Sequence, residues 1–352
     1  MSGKARTNRN KRESAPAEKH GATPRSAVKY SFLKILTGSD LSRRRLARMQ
    51  ATGRRPGPTV WLTACGHGDE VGGVVVVQEV FKRLRKQPLL RGELHAFPLM
   101  NPLGFEVSSR QVAFSGEDLN RCFPGHPQGS LAQRIANVIF MEIARTKPAL
   151  VLDLHNDWRH SVPYTLIDPP PGPAHQETYA RAQAFAPQTG FLLVAESLAS
   201  ADGVASPKTL SGSLIRQGIA SLTVELGEAY VVNERNVEFG VRAVWNCLAG
   251  LAMVETDAEP FRYPAPERFR ERFLTYYGDL VSSTSGIIRF RIKAGDVIAA
   301  RQPVARIYNA FGKLLETLSV PHSGIVLGHS DSSVAYPGVP VAAFGLDPTN
   351  SS

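Results

Sequence analysis

The run Val60-Trp61-Leu62-Thr63-Ala64-Cys65-Gly66-His67-Gly68-Asp69-Glu70-Val71-Gly72-Gly73 restricts the fold more than any other stretch of the chain. It opens as an apolar β-type segment, turns through Gly66 and Gly68, and passes into the apolar residues 74–80 and then Phe81-Lys82-Arg83-Leu84-Arg85-Lys86. A strand that ends in a glycine turn and opens a helix sets the turn's side chains above the carboxyl edge of a sheet, where open α/β folds hold ligands. His67 and Glu70 lie three residues apart on that turn, and an imidazole nitrogen with a carboxylate oxygen suits zinc.

The same alternation continues. Apolar runs predict strands over 59–64, 94–99, 149–154, 164–168, 191–195 and 221–226, and helical patterns fall near 70–86, 130–146, 175–186 and 236–254. This predicts an α/β fold with a mixed, mainly parallel sheet and helices on both faces. Between 99 and 130 lies a segment rich in Gly, Pro and polar groups, too long to serve only as a connector. Residues 259–280 carry Pro260, Pro264 and Pro266 and read as a linker. Short β runs broken by glycine over 281–346 then predict a small, barrel-like all-β domain capping the cleft, with 347–352 as a frayed tail. Its hairpin Tyr308-Asn309-Ala310-Phe311-Gly312 has no lysine at the tip, only Lys313 just past it, which argues against a swinging carrier arm.

Charge is unevenly placed. The net charge is +10, but residues 1–57 hold 15 Lys/Arg against 3 Asp/Glu, and the rest hold 26 against 28. The basicity therefore belongs to a leader, expected to be disordered to about residue 24, with some helix-like spacing over 26–49. The folded body, 58–258 and beyond, shows no nucleic-acid footprint. No apolar stretch approaches the roughly 20 residues of a membrane span. No apolar core follows the basic N-terminal residues, so neither a secretory nor a twin-arginine signal is expected, and the location read from this is cytoplasmic. Cys65, Cys122 and Cys247 are odd in number and far apart, which gives no disulfide framework and fits a reducing compartment. Oligomeric state, homo-oligomers included, is open.

A catalytic zinc takes three protein ligands and leaves one position open. His155, at the end of the run Ala149-Leu150-Val151-Leu152-Asp153-Leu154, is delivered by a parallel neighbour to the edge that carries His67 and Glu70. Asp69, between those two, reads as a group that orients His67. Glu225 ends the apolar run Ser221-Leu222-Thr223-Val224 and can exchange a proton with an activated water; Glu228 competes but lies less deep in the strand. Arg110 and Arg121 in the long polar loop are candidates to stabilise an oxyanion, and Asn120 with Arg121 can grip a substrate carboxylate.

Gly66-His67-Gly68-Asp69-Glu70, Asn101-Pro102-x-Gly104, Arg110, Asp118-Leu119-Asn120-Arg121 with Phe123-Pro124-Gly125, Asp153-Leu154-His155 and Glu225, in that order, resemble the succinylglutamate desuccinylase/aspartoacylase family, a zinc carboxypeptidase-like group. The resemblance covers roughly residues 59 to 345 and implies a zinc-dependent amide hydrolase that removes an N-acyl group from a small amino acid. It implies His67, Glu70 and His155 as ligands to one zinc ion, Glu225 as general base and acid, Arg110 at the carbonyl oxygen, and Asn120 with Arg121 on the α-carboxylate. Tyr164 and Arg159 are the nearest candidates for selecting the substrate, although neither is placed by the family pattern. Two alternatives stand beside this reading. One is a zinc carboxypeptidase acting on short peptides; the other is a non-enzymatic protein that binds nucleic acid or an acidic surface through its basic N-terminus.

Overall fold

The computed structural model describes residues 28–37, 41, 43–169, 172–196, 208–330 and 332–348. The expectation for residues 1 to about 24 lies outside them. The chain opens with β1 (Lys29–Thr37), β2 (Arg43–Thr52) and β3 (Arg55–Ala64), then α1 (Gly72–Lys86), β4 (Arg91–Phe97), the short α2 (Pro102–Glu106) and α3 (Leu131–Arg145). β5 (Leu150–Asp157), β6 (His160–Ser161), β7 (Pro163–Ile167), α4 (Gln176–Phe185), β8 (Leu192–Ala195), α5 (Leu210–Arg216), β9 (Ser221–Glu228) and α6 (Glu234–Gly250) follow. The C-terminal strands are β10 (Phe273–Val281), β11 (Gly286–Phe290), β12 (Val297–Ile298), β13 (Pro303–Tyr308), β14 (Leu314–Ser319), β15 (Gly324–His329), β16 (Val334–Ala335) and β17 (Pro340–Leu346).

Thirteen strands form one mixed sheet, with the path β1-β2-β4-β3-β5-β9-β7-β8-β10-β17-β15-β12 and β6 paired to β15. The expected parallel character belongs to the centre, where β4, β3, β5 and β9 run the same way. β7 reverses it, pairing antiparallel with β9, because the short stretch between β5 and β7 returns the chain from the edge it has just left. β8 and β10 then follow β7 in parallel.

Side chains alternate between the two faces of each strand, and helices cover both. Val60, Leu62, Leu152 and Leu154 bury one face against Val76, Val77 and Val80 of α1, Tyr179 and Ala182 of α4, and Val237 and Val244 of α6. Trp61, Phe97 and Val151 bury the other against Ile135, Ile139 and Ile143 of α3 and Leu210 and Leu214 of α5. The helix over 130–146 forms as the sequence predicts: Ser130 Oγ accepts from the Gln133 amide at 3.2 Å, and the Gln133 side chain accepts from the Ser130 amide at 3.4 Å.

Three features differ from the sequence reading. The helix-like spacing over 26–49 resolves as the antiparallel pair β1–β2, whose Leu33, Ile35 and Leu46 pack toward α3 while Tyr30 and Phe32 stay exposed. β10 begins inside the stretch read as a linker, ends one residue beyond it, and pairs with β8, so the C-terminal strands continue the large sheet. A second sheet, β14-β13-β11-β16, packs on that extension around Ile288, Val304, Ile307, Val326 and Phe344.

Candidate active site and metal centre

The turn after β3 is set by backbone geometry. Cys65 takes φ 55°, turning the chain off the strand. Gly68 packs so closely on Gly104 that a Cβ there would lie 2.0 Å from the Gly104 carbonyl carbon. The Gly68 amide also donates to the Ser109 carbonyl at 2.9 Å, which fastens the long polar loop to the turn and sets Arg110 beside Glu70. Gly72 abuts the Asn156 carboxamide, whose Oδ1 accepts from the Gly72 amide at 3.0 Å.

β5 lies directly beside β3, with Ala64 opposite Leu154, so His155 arrives next to the turn. His67, Glu70 and His155 are all buried, and their ligand atoms lie within 4.8 Å of one another. The His67 Nδ1 is 2.5 Å from Glu70 Oε1, and the His155 Nδ1 is 2.7 Å from Glu70 Oε2. Each ring is held from its far side by another carboxylate: His67 Nε2 by Asp118 Oδ1 at 3.0 Å, His155 Nε2 by Asp153 Oδ2 at 3.0 Å. Asp153 is itself fixed by the Thr63 hydroxyl at 2.7 Å. Two imidazoles with converging Nδ1 atoms, each backed by a carboxylate, make a donor set that could hold a metal ion. The expectation that Asp69 orients His67 is corrected, since Glu70 and Asp118 take both ring nitrogens. Asp69 turns to the β9–α6 connection instead, where its carbonyl accepts from the Tyr230 amide at 2.8 Å and its carboxylate interacts with the Tyr230 hydroxyl.

Glu225 sits inside β9, opposite His155 on one side and Tyr164 on the other, so the three share one face of the sheet in a single cross-strand row. Glu228 is three residues further along β9 and accepts from Asn233 at 3.2 Å and Asn236 at 2.7 Å, a structural role at the start of α6. Glu225 Oε2 is buried and has no hydrogen-bond partner among the described residues. Burial, followed by the negative charge of Asp157, holds the Glu225 carboxyl well above the usual carboxylate range. Burial also pushes Asp157 up to about 7, although the Tyr164 hydroxyl donates to its Oδ2 at 2.8 Å. A carboxyl held above its ordinary range beside two imidazoles is a candidate for proton exchange, and Glu225 is placed for it.

The polar loop supplies the cations. The Arg110 Nε donates to Asp118 Oδ2 at 3.1 Å, and its Nη1 is 3.5 Å from Glu70 Oε1, so the half-exposed guanidinium borders the cluster. Asn120 Oδ1 accepts from the Leu210 amide at 2.8 Å, which ties the loop to α5. Arg121 is exposed and donates to the Asn120 carbonyl at 3.0 Å. Arg159 stacks over the Tyr230 ring at 4.1 Å. Tyr164 is buried against Asp157, so its hydroxyl is already engaged.

Asp118, Asp153 and Asp157 received no role from sequence reasoning. The period of a strand exposes two of them, because Asp153, His155 and Asp157 alternate on β5 and must share a face. Tyr276 of β10, which feels the charges of Asp157, Glu196 and Glu225, comes from a strand whose pairing with β8 has no local signal.

Comparison with known proteins gives a consistent picture. The succinylglutamate desuccinylase/aspartoacylase catalytic domain matches residues 56–251. The N-alpha-acetyl-L-2,4-diaminobutyric acid deacetylase of Halomonas elongata is 26% identical over 284 residues, covering 80% of each chain. A succinylglutamate desuccinylase/aspartoacylase structure from Rhodobacter sphaeroides superposes with TM-score 0.77 at 23% identity, over 92% of this chain and 97% of that one. The product-bound ectoine utilization protein EutE (DoeB) from Ruegeria pomeroyi gives TM-score 0.77 at 20% identity, over 92% and 96%. At these identities the structural likenesses speak for the fold.

Proposed function

The chain belongs to the succinylglutamate desuccinylase/aspartoacylase family, and we propose that it is a zinc-dependent deacylase that hydrolyses the amide of a small N-acyl amino acid. The observation that carries this reading is the row His155–Glu225–Tyr164, in which the buried Glu225 Oε2, without a hydrogen-bond partner among the described residues, stands beside the His155 imidazole. His67, Glu70 and His155 would hold the zinc, which, when bound, polarises the scissile carbonyl and acidifies a water.

Glu225 takes the proton of the attacking water and delivers it to the departing amine. A carboxyl that burial and the Asp157 charge hold above the ordinary carboxylate range suits both halves of that exchange. After burial, the charge of Asp157, which is held by Tyr164, does most to raise the Glu225 pKa, and Asp157 contributes no transfer of its own. Arg110 donates to the carbonyl oxygen as negative charge develops on it, and its anchor on Asp118 keeps the guanidinium from swinging away. Asn120, with Oδ1 committed to Leu210, has its Nδ2 left to donate, and together with Arg121 it grips the α-carboxylate. Tyr164 acts through Asp157 rather than by direct selection of the acyl group.

The Halomonas relative, by its name, deacetylates an amino acid with a second amine, and an N-acetyl diamino acid is the substrate class we favour. The test is a rate comparison between N-acetyl, N-succinyl and longer N-acyl amino acids and N-blocked dipeptides. Faster hydrolysis of N-acetyl amino acids supports the reading. Turnover of the dipeptides alone assigns the site to peptide trimming.

A further inference from the structure

One carboxylate on the catalytic face has no task in the chemistry above. The period of a strand places Tyr164, Leu166 and Asp168 along β7, and Leu192, Val194 and Glu196 along β8, on the face that carries Glu225, because Tyr164 is opposite both Glu225 and Leu192. The Glu196 amide donates to the Ile167 carbonyl at 3.0 Å, which extends the ladder by one residue and sets Glu196 alongside Asp168. Thr275 of β10 is opposite Ala195, so Tyr276 flanks Glu196 on its other side.

This corner adjoins the carboxylate clamp. The Thr209 hydroxyl donates to Asp168 Oδ1 at 2.6 Å, and the next residue, Leu210, donates its amide to Asn120 Oδ1 at 2.8 Å. Arg121 lies close enough to Glu196 for its charge to be felt there. Asp168 is buried and bonded to Thr209. The Glu196 carboxylate, half-buried, has no hydrogen bond or ion pair among the described residues. A substrate held through its α-carboxylate by Asn120 and Arg121 would sit beside this corner and its two carboxyls. An acidic side chain is repelled there, and an ammonium is attracted.

We propose that Glu196 is the specificity-determining residue of the cleft, accepting a hydrogen bond from the cationic side-chain amine of an N-acyl diamino acid; this rests on the deacylase reading given above. Burial and the neighbouring Asp168 charge push the Glu196 carboxyl up to about 7, a repulsion that an arriving ammonium relieves.

The experiment compares kcat/KM for Nα-acetyl-L-2,4-diaminobutyrate and for Nα-acetyl-L-2-aminobutyrate, which has the same chain without the amine. It is done on the wild-type protein, Glu196→Gln and Glu196→Lys. The wild type favours the diamino substrate, and Glu196→Gln lowers the ratio of the two constants by about 10- to 100-fold, the worth of a charge-assisted hydrogen bond. Glu196→Lys inverts the preference and admits N-acetyl-L-aspartate. A ratio that stays within about twofold in Glu196→Gln, with both constants falling together, overturns the assignment and makes Glu196 a support for Arg121. If the wild type hydrolyses neither compound nor any other N-acyl amino acid, the deacylase reading itself fails and the Glu196 assignment falls with it.

Discussion

Glu225→Gln separates catalysis from stability. The carboxamide keeps the size of the side chain and its place in β9 between His155 and Tyr164, but it cannot accept a proton from water. General-base contributions are typically 10²- to 10⁴-fold, so kcat should fall by about that factor, or about 3 to 5 kcal/mol of barrier. The same change should not destabilise the fold. Among the described residues Glu225 Oε2 has no hydrogen bond to lose, and the change removes a carboxyl whose ionisation is opposed first by burial and then by Asp157. The sign with pH follows from the raised pKa: the folded protein holds the Glu225 proton more tightly than the unfolded chain does, so this group costs stability increasingly as pH rises above the ordinary carboxylate range. The thermal midpoint of metal-free Glu225→Gln should therefore equal or exceed that of wild type at neutral pH, with the difference closing on acidification. The assay is amine release from an N-acetyl amino acid under saturating substrate, with a thermal melt and zinc content measured on the same preparation. A kcat within about fivefold of wild type, at equal zinc content, refutes the role given to Glu225.

Asp157→Asn removes the charge that, after burial, most raises the Glu225 pKa, so the acidic limb of the kcat/KM profile should move to lower pH; a shift upward or none contradicts the coupling. Asp153→Asn and Asp118→Asn each strip the carboxylate behind an imidazole of the proposed zinc site and should weaken zinc affinity about 10- to 100-fold, measured by competition with a chelator. Arg110→Ala should lower kcat by about 10²- to 10³-fold, whereas Arg121→Ala should act mainly on KM, a split read from steady-state kinetics.

Much of the centre is legible in the sequence because its residues sit where strand ends must put them. A glycine turn after β3 and a neighbouring apolar strand ending in Asp-Leu-His bring His67, Glu70 and His155 to one edge without knowledge of other contacts. The supporting carboxylates were harder. Asp69 is next but one to His67 along the chain, whereas the Asp118 that reaches the ring lies 51 residues on, in the polar loop that packs on the turn where Gly68 abuts Gly104. The C-terminal strands read locally as a separate module, since nothing within 273–281 shows that this strand pairs in parallel with 192–195. α5 was missed for a different reason: Leu210-Ser211-Gly212-Ser213 has poor helix propensity, and tertiary burial of Leu210 and Leu214 supplies what the local sequence lacks.

The central claim is that one zinc ion held by His67, Glu70 and His155 is required for deacylation. The direct test adds Zn²⁺ stepwise to chelator-stripped protein while recording the initial rate on Nα-acetyl-L-2,4-diaminobutyrate. The rate should rise in proportion to added metal and break at about one ion per chain, as a single three-ligand site demands. Activity that is full before any zinc is added, or that rises without a break near one equivalent, contradicts it.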